Sequence, residues 1–586
     1  MFKLLKKLDK KDISLIIIAI LLIVVQVFLE LKIPDYMTEI TRLIQTEDTV
    51  IGDILKEGSY MLACALLSLV TAIGVGYIAA SVSSNFSYNL RDDVFDKVEK
   101  FSTAEIKKFQ TSSLITRTTN DVSQLEMIIA MGLQAFIKAP IMAVWAINKI
   151  LNKNIEWSAL VAGCVLILLI TVISLMVIVL PRFEIVQKLI DKINGVTREN
   201  LTGIRVIRAF NAENFQKDRF SKVNNELTKT QLFNQRCFAI LNPIMNLVMN
   251  GLTLGIYFIG AYLIVQATMV DKINLFSNMI VFTSYGMQVI MSFLLLALIF
   301  MMWPRAQISA ERINEILECD LSILDGDYTG STKDKGVVEF KNVSFKYPDA
   351  SEYLLKDISF KANKGETIAF IGSTGSGKST LINLVPRFYD VTDGEVLVDG
   401  INVKNYRLHS LRNKIGYVSQ KAFMFTGSVS DNVAYGDNGK SRPNKEAIKK
   451  AIDVACATEF VTKMDGTYDA DIARGGTNVS GGQKQRLSIA RAIAKNPEIY
   501  IFDDTFSALD FKTDALLRKN LKNYTGDATI LIVAQRIGTI MNADKIIVLD
   551  KGRCVGMGTH KELLRNCDVY KEIALSQLSK EELENA

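Results

Sequence analysis

The sequence predicts an α-helical membrane domain, six transmembrane helices with long cytoplasmic extensions, followed by an α/β domain built around a phosphate-binding loop. Three observations predict it. Six long apolar runs fall in the first half of the chain. From Val337 onward, short apolar strands alternate with helix-patterned segments. Between a strand and a helix of that second half stands Gly372-Ser-Thr-Gly-Ser-Gly377-Lys378-Ser379. At 586 residues the chain is too long for one domain. Hydrophobic residues make up 49% of it, with the excess in the first half.

The N-terminus, Met1 to Lys11, is basic and leads into an apolar run, as a signal peptide does. The run from Ile13 to Leu29 is long, however, and no small-residue cleavage site follows it. An interfacial amphipathic helix with Phe2, Leu4, Leu5 and Leu8 on one side, feeding a spanning helix, is the better reading. A crossing helix needs roughly 20 mostly apolar residues. Six segments meet this or come close: Ile13–Ile33, Tyr60–Ser81, Met131–Ile150, Trp157–Leu180, Pro243–Gln266 and Ile273–Trp303. Lys138, Asn148 and Lys149 interrupt the third; costly in lipid, they are expected to face a cavity or the outer interface. The last is longer than a bilayer requires, so it projects or tilts. Buried helices of a large soluble protein are the alternative, and six runs at this density speak against it.

Charge orients the helices. With the N-terminus inside, the inner segments 1–12, 82–130 and 182–240 are rich in Lys and Arg, Lys107, Lys108 and Arg117 among them. The outer ones hold only Lys32, Arg42, Lys56, Lys149, Lys153 and Lys272. This bias follows the positive-inside rule and puts the second domain in the cytoplasm. It also accounts for the net charge of +6. No basic stripe with interleaved aromatics is present, so nucleic acid is not an expected partner. The seven cysteines are scattered without a Cys-x-x-Cys pair, and the two histidines, His409 and His560, have no metal-ligand spacing. Zinc and disulfide frameworks are not indicated.

The inner connections Leu90–Val98 and Val196–Phe220 carry apolar residues at spacings of three and four, as helices reaching into the cytoplasm do, and so does Ala306–Leu317. Residues 1–319 thus form the membrane domain, the polar stretch 320–336 a linker, and 337–586 the α/β domain. Its strands are Val337–Val343, Ile358–Lys361, Thr367–Ile371, Ile415–Val418, Ile499–Phe502, Thr529–Val533 and Lys545–Leu549, in a largely parallel core sheet. The chain has one membrane unit and one α/β unit, with no internal repeat.

The loop Gly372, Ser373, Thr374, Gly375, Ser376, Gly377, Lys378 and Ser379, with Thr380 beside it, has the context its chemistry demands. Glycines let the backbone wrap the β- and γ-phosphates, and amides at a helix start supply donors. Lys378 neutralises phosphate oxygens, and the Ser379 hydroxyl is suited to magnesium.

At these residues the chain resembles the ABC exporter family, over nearly its whole length. Phe345-Lys-Tyr347-Pro348 resembles the adenine-stacking loop, with Tyr347 as the aromatic. Tyr417-Val-Ser-Gln420 resembles the loop whose glutamine touches magnesium, and Asn478-Val-Ser480-Gly481-Gly482-Gln483 the signature motif. Ser507-Ala-Leu-Asp510 resembles the loop that crosses to the partner domain. In the membrane half, Ser112–Val122 and Glu199–Phe210 are similar to the family's two intracellular loops. The resemblance implies an α/β P-loop ATP-binding cassette, ATP and magnesium as cofactors, and a half-transporter that dimerises to twelve helices and two cassettes. Each ATP would lie between the phosphate loop of one chain and the signature of the other. Asp503 takes the place of the carboxylate that supports magnesium, through water.

Two positions depart from the family on the nucleotide site. Asp504 stands where it has the glutamate that polarises the attacking water, and Gln535 where it has a histidine on the γ-phosphate. Asp504 is one methylene short, and a displacement of about 1 Å costs about 100-fold in rate. Glutamine donates a hydrogen bond but does not titrate near neutral pH. A third departure precedes the signature, where Arg474-Gly475-Gly476 replaces the common Glu-Arg-Gly. A slow homodimer is one outcome of such drift. With Ser480, Gly481, Gly482 and Gln483 intact, the resemblance favours the degenerate-site subunit of a bacterial heterodimeric exporter. Its partner would be a second half-transporter with intact glutamate and histidine, in the bacterial cell membrane, with N-terminus and cassette cytoplasmic. Met279, Phe282, Tyr285, Met287, Met291, Phe293, Tyr257 and Phe258 offer the sulfur and aromatic surface that suits hydrophobic small molecules, or else serve helix packing and lipid contact. A lipid or lipid-linked precursor flippase, and a non-transporting ATP-binding regulatory subunit, are the rival functions.

Overall fold

A computed structural model describes residues 1–45, 50–151, 155–330, 335–436, 439 and 441–578. Lys153 and residues 331–334 of the linker lie outside the described residues, as does the side chain of Phe2. The chain divides into two units, 1–99 with 111–319 and 100–110 with 320–586.

The first half is helical throughout: α1 Phe2–Leu5, α2 Lys10–Ile44, α3 Ile51–Glu99, α4 Thr103–Phe109, α5 Thr111–Thr118, α6 Asn120–Leu151, α7 Ile155–Thr202, α8 Ile204–Ala209, α9 Glu213–Ala239, α10 Leu241–Gln266 and α11 Met269–Leu317. Among the described residues, six helical stretches are long and apolar enough to cross a membrane, and each sequence-predicted span lies within one. Helix α3 has 49 residues, so it is about 73 Å long, more than twice a hydrocarbon core. Residues 82–99 of it continue past the predicted span as unbroken helix, as expected of an inner extension. Helix α11 likewise runs unbroken through Pro304 to Leu317. The other inner connection is less regular: α7 ends at Thr202, Gly203 separates it from α8, and Phe210–Ala212 separate α8 from α9. Helix α1 is only four residues long, with Leu4 buried and Lys3 exposed; Lys6 and Lys7, in the turn that follows, are exposed too, and Lys3 reaches Glu318 at 2.8 Å.

Inside this unit the helices close on Trp157, whose ring is fully buried 4.8 Å from that of Phe282 and whose Nε1 donates to the Ile256 carbonyl at 3.2 Å. Close approach needs small residues. A Cβ on Gly260 would lie 2.6 Å from Met279 Sδ, and one on Gly286 2.6 Å from Leu252 Cδ2. Leu66, Val70 and Ile73 of α3 point outward, which suits lipid. The interrupting lysines are paired. Lys138 donates to Glu30 Oε1 at 2.8 Å, and Gln26 and Ser68 donate to the same oxygen at 2.9 and 3.3 Å. Lys149 donates to Asp35 at 2.6 Å, and the Tyr285 hydroxyl bonds the other carboxylate oxygen at 2.7 Å. Both acids lie on α2, both lysines on α6.

The second unit takes in α4 and then alternates strands and helices. It begins with β1 Val338–Phe345, β2 Leu355–Ala362, β3 Thr367–Gly372, α12 Lys378–Asn383, β4 Asp393–Val398, β5 Ile401–Asn402, α13 Leu408–Asn413 and β6 Ile415–Val418. A mostly helical stretch follows: β7 Gly427–Ser428, α14 Val429–Val433, α15 Lys445–Val454, α16 Thr458–Val461, β8 Asp471–Ile472 and α17 Gly481–Lys495. It ends with β9 Ile499–Asp503, α18 Phe511–Thr525, β10 Thr529–Val533, α19 Ile537–Ile540, β11 Lys545–Asp550, β12 Arg553–Gly558, α20 His560–Asn566 and α21 Asp568–Leu575.

The core sheet has the order β12-β11-β3-β10-β9-β6, parallel except for β12. Strands β9 and β10 are buried at every residue, as a sheet covered on both faces requires. The first two strands read from the sequence, β1 and β2, belong instead to a separate antiparallel sheet, β2-β1-β4-β5. They are sequential and closely linked, so they pair as a hairpin rather than through a crossover. Glu30→Gln is expected to destabilise the membrane unit by about 2–3 kcal/mol, because Lys138 is left without its carboxylate. Glu30→Gln with Lys138→Met recovers most of that loss, as thermal unfolding of the purified protein in detergent would show.

Candidate nucleotide site

Four neighbouring parallel strands deliver the candidate residues to one edge of the core sheet. Strand β3 leads into the loop from Gly372, β10 into Gln535, β9 into Asp503 and Asp504, and β6 into Gln420. Register fixes their level, since Val533 pairs with both Phe370 and Asp503, and Val418 with Phe502. Ligands of open α/β sheets bind outside the carboxyl ends of their strands, and this edge is such a place.

The loop can be made only with glycine at its ends. Gly372 has φ +155°, and a Cβ there would lie 2.0 Å from the Leu549 carbonyl oxygen. Gly377, with φ +97°, turns the chain into α12. Lys378 Nζ donates to the carbonyls of Gly372 and Ser373, both at 2.8 Å. Ser376 is buried, and its hydroxyl has no hydrogen-bond partner among the described residues. The Ser379 hydroxyl donates to Asp503 Oδ1 at 2.6 Å. A hydroxyl and one carboxylate, with room left for phosphate and water oxygens, suit magnesium, which is bound through few protein ligands. These residues fit the expected cofactors: Lys378 and the loop for phosphate, Ser379 and Asp503 for the metal.

Asp503 and Asp504 are both buried, and burial raises both carboxyls above their ordinary range. For Lys378, burial lowers the ammonium and the charges of Asp504 and Asp503 act against that shift. The backbone of Asp504 is left-handed, with φ +46° and ψ +33°, which aspartate tolerates better than most residues. Its amide donates to the Val533 carbonyl at 3.0 Å. One carboxylate oxygen, Oδ2, accepts from Gln535 Nε2 at 2.7 Å and from Gln420 Nε2 at 3.1 Å. Asp504 and Gln535, the two positions of the nucleotide site expected from the sequence to be altered, are thus bonded to each other. Gln420, expected at magnesium, makes its hydrogen bond to Asp504.

Tyr347 is half-buried, and its hydroxyl lies 2.9 Å from that of Thr380 on α12. Lys107 of α4 reaches over its ring, 5.1 Å from the centroid. From the sequence, Lys107 counts only as an inside charge; nothing local marks it as a neighbour of Tyr347. Ser480 caps α17, accepting from the Gln483 amide at 3.3 Å, while Gln483 Oε1 accepts from the Ser480 amide at 2.8 Å. Ser480 and Gly481 are exposed, Gly481 has open space where a Cβ would be, and Gly482 lies near the Ala508 carbonyl. Asp510 caps α18 through the Thr513 amide at 3.0 Å. Among the described residues no hydrogen bond joins the signature to the phosphate loop of the same chain.

Residues 355–507 match the family described as ABC transporter, and residues 16–293 match the ABC transporter transmembrane region. An uncharacterized ABC transporter ATP-binding protein of Mycobacterium tuberculosis is 38% identical over 547 residues, covering 92% of this chain and 93% of that protein. One from Bacillus subtilis is 33% identical, covering 96% of each. The ATP-dependent lipid A-core flippase of Haemophilus influenzae is 30% identical, covering 88% of this chain and 86% of that one. In fold, the chain is similar to a bacterial Atm1-family ABC exporter solved with ATP bound, with a TM-score of 0.81 over 98% of this chain and all of that one, at 22% identity.

Asp503→Asn is expected to weaken magnesium-dependent ATP binding about tenfold or more, the loss of a charge-assisted contact. Asp504→Asn should leave that affinity within about twofold, since its carboxylate is engaged by amides rather than by the Ser379 side of the site. Calorimetric titration of the purified chain with ATP, with and without magnesium, measures both.

Proposed function

The chain belongs to the ABC transporter family, as a multi-pass membrane protein with a cytoplasmic cassette, and we propose that it is the weakly hydrolysing subunit of a heterodimeric exporter. Its own phosphate loop, closed by the partner's signature, holds ATP through several turnovers. Its own Ser480, Gly481, Gly482 and Gln483 complete the partner's site, where hydrolysis resets the pair. The cargo is hydrophobic or amphipathic.

The observation that carries this reading is the Asp504 carboxylate beneath two side-chain amides. A base that activates water needs a free lone pair aimed at the water and a matched proton affinity. Asp504 Oδ2 already accepts two N–H donors, at 2.7 and 3.1 Å, which leaves Oδ1 to serve a water and lowers the basicity of the carboxylate as a whole. It is also one methylene shorter than glutamate, and a displacement of about 1 Å costs about 100-fold in rate. Gln535 supplies a hydrogen bond but relays no proton. Binding is spared: Lys378 is poised on the loop's carbonyls and Ser379 on Asp503. Magnesium, when bound, neutralises phosphate charge as the triphosphate is gripped. The intact cap at Ser480 supports the second half of the proposal, because a helix start with exposed amides is what a partner's γ-phosphate needs.

A lipid cargo is the second reading. It is favoured by the 30% identity to a protein named as a lipid A-core flippase. ATPase stimulation of the complex in vesicles separates the two: lipid supports the flippase reading, hydrophobic drugs the export of small molecules.

The isolated chain is expected to bind ATP and to turn it over at about one-hundredth of an ordinary cassette's rate or less. In the complex, Asp504→Glu together with Gln535→His should raise turnover and allow nucleotide trapping at both sites. Unchanged turnover in that double variant would favour a purely regulatory subunit. Brisk hydrolysis by a self-associated wild-type chain would refute the asymmetric proposal.

A further inference from the structure

Helix α4 comes from the connection between α3 and α5, yet it packs with the second unit. Its seat there is specified. Ser102 Oγ accepts from the Ala104 amide at 3.1 Å, and Glu105 accepts from the Ser102 amide at 2.6 Å and from the Ser322 amide at 3.1 Å. The hydroxyls of Ser102 and Ser322 are 2.9 Å apart, and Ala104 packs against the cluster that contains Phe345 and Tyr389. So held, α4 carries Lys107 into a notch between two rings. The Tyr347 and Tyr389 rings meet at 87° with centroids 5.2 Å apart, and the ammonium lies 5.1 Å from the first and 5.9 Å from the second. Among the described residues Lys107 has no carboxylate partner, so its contact with the rings is not incidental to an ion pair.

Lys107 lies over the ring of Tyr347, which is half-buried. Its hydroxyl is engaged at Thr380, and the buried rings of Phe345 and Tyr389 stand against it at 5.0 and 5.2 Å. A flat base stacked on the face that Lys107 covers meets the ammonium. We propose that Lys107 is a specificity-determining residue of the nucleotide site: its ammonium and the adenine compete for the stacking face of Tyr347, so the seat of α4 depends on whether a base is bound. This rests on reading Tyr347 as the adenine-stacking aromatic. Both contacts draw on the ring's negative face, and a cation and a stacked base do not share that space.

The test compares two ligands of the full chain in lipid nanodiscs, ATP and inorganic tripolyphosphate, each with magnesium. Tripolyphosphate has phosphates and no base, so the ratio of the two affinities isolates the base contact from the charge of Lys107. Lys107→Met is expected to raise that ratio about two- to fivefold, the strength of one exposed cation–π contact, and Lys107→Arg to leave it near wild type. Tyr347→Leu should lower it. An unchanged or lower ratio in Lys107→Met, with Tyr347→Leu behaving as expected, overturns the role of Lys107 alone. A ratio unmoved by Tyr347→Leu overturns the stacking role of Tyr347 and the proposal with it.

Discussion

Two consecutive carboxylates, Asp503 and Asp504, are buried at the carboxyl end of β9, with the half-buried ammonium of Lys378 bearing on both. Charge in a low-dielectric place is tolerated only when it is paired and hydrogen-bonded. The surrounding structure meets that demand group by group. Asp503 accepts from Ser379, Lys378 donates hydrogen bonds to loop carbonyls, and Asp504 accepts from the amides of Gln420 and Gln535. Lys378 and Ser379 arrive from β3, Gln535 from β10 and Gln420 from β6, so the order β3-β10-β9-β6 is as much a requirement of the site as the residues are.

The same pairing governs the membrane unit at another scale. Lys138 and Lys149 lie in a span that lipid would otherwise surround, and α2 answers them with Glu30 and Asp35. The pairs tie α2 to α6, and Tyr285 brings α11 to the same carboxylate. Close-packed glycines at 260 and 286 do the rest by letting α10 and α11 approach their neighbours. Polar contacts choose which helices are neighbours, and small residues choose how near they come.

Much of this was legible in the chain. Apolar runs of bilayer length are unambiguous because lipid leaves the backbone no alternative to helix. The phosphate loop was legible because its glycines answer to a backbone path that other residues cannot follow, as the 2.0 Å approach at Gly372 shows. The parallel core strands β3, β6, β9, β10 and β11 were readable from continuous apolar runs, since buried parallel strands carry no alternation to confuse them, whereas β4, β5, β7, β8 and β12 were not read. The sheet to which each strand belongs was not readable: β1 and β2 look like core strands and pair instead with β4 in their own sheet. The break at Gly203 and the short α8 were also hidden, because helical periodicity continues across them.

Local patterns, then, were legible residue by residue along the chain: which segments are long and apolar enough to cross a membrane, which loop is patterned for phosphate, and where the motifs differ from those they resemble. Contacts between positions far apart needed the fold. Gln535 is 31 residues from Asp504, Gln420 is 84, and Lys107 precedes Tyr347 by more than 200, yet each pair meets. Periodicity and motif spacing report only what the backbone does over a few turns. Which distant amide saturates a carboxylate oxygen, or which lysine covers an aromatic ring, depends on strand order and on the seating of a short helix, and those arise from packing of the whole unit.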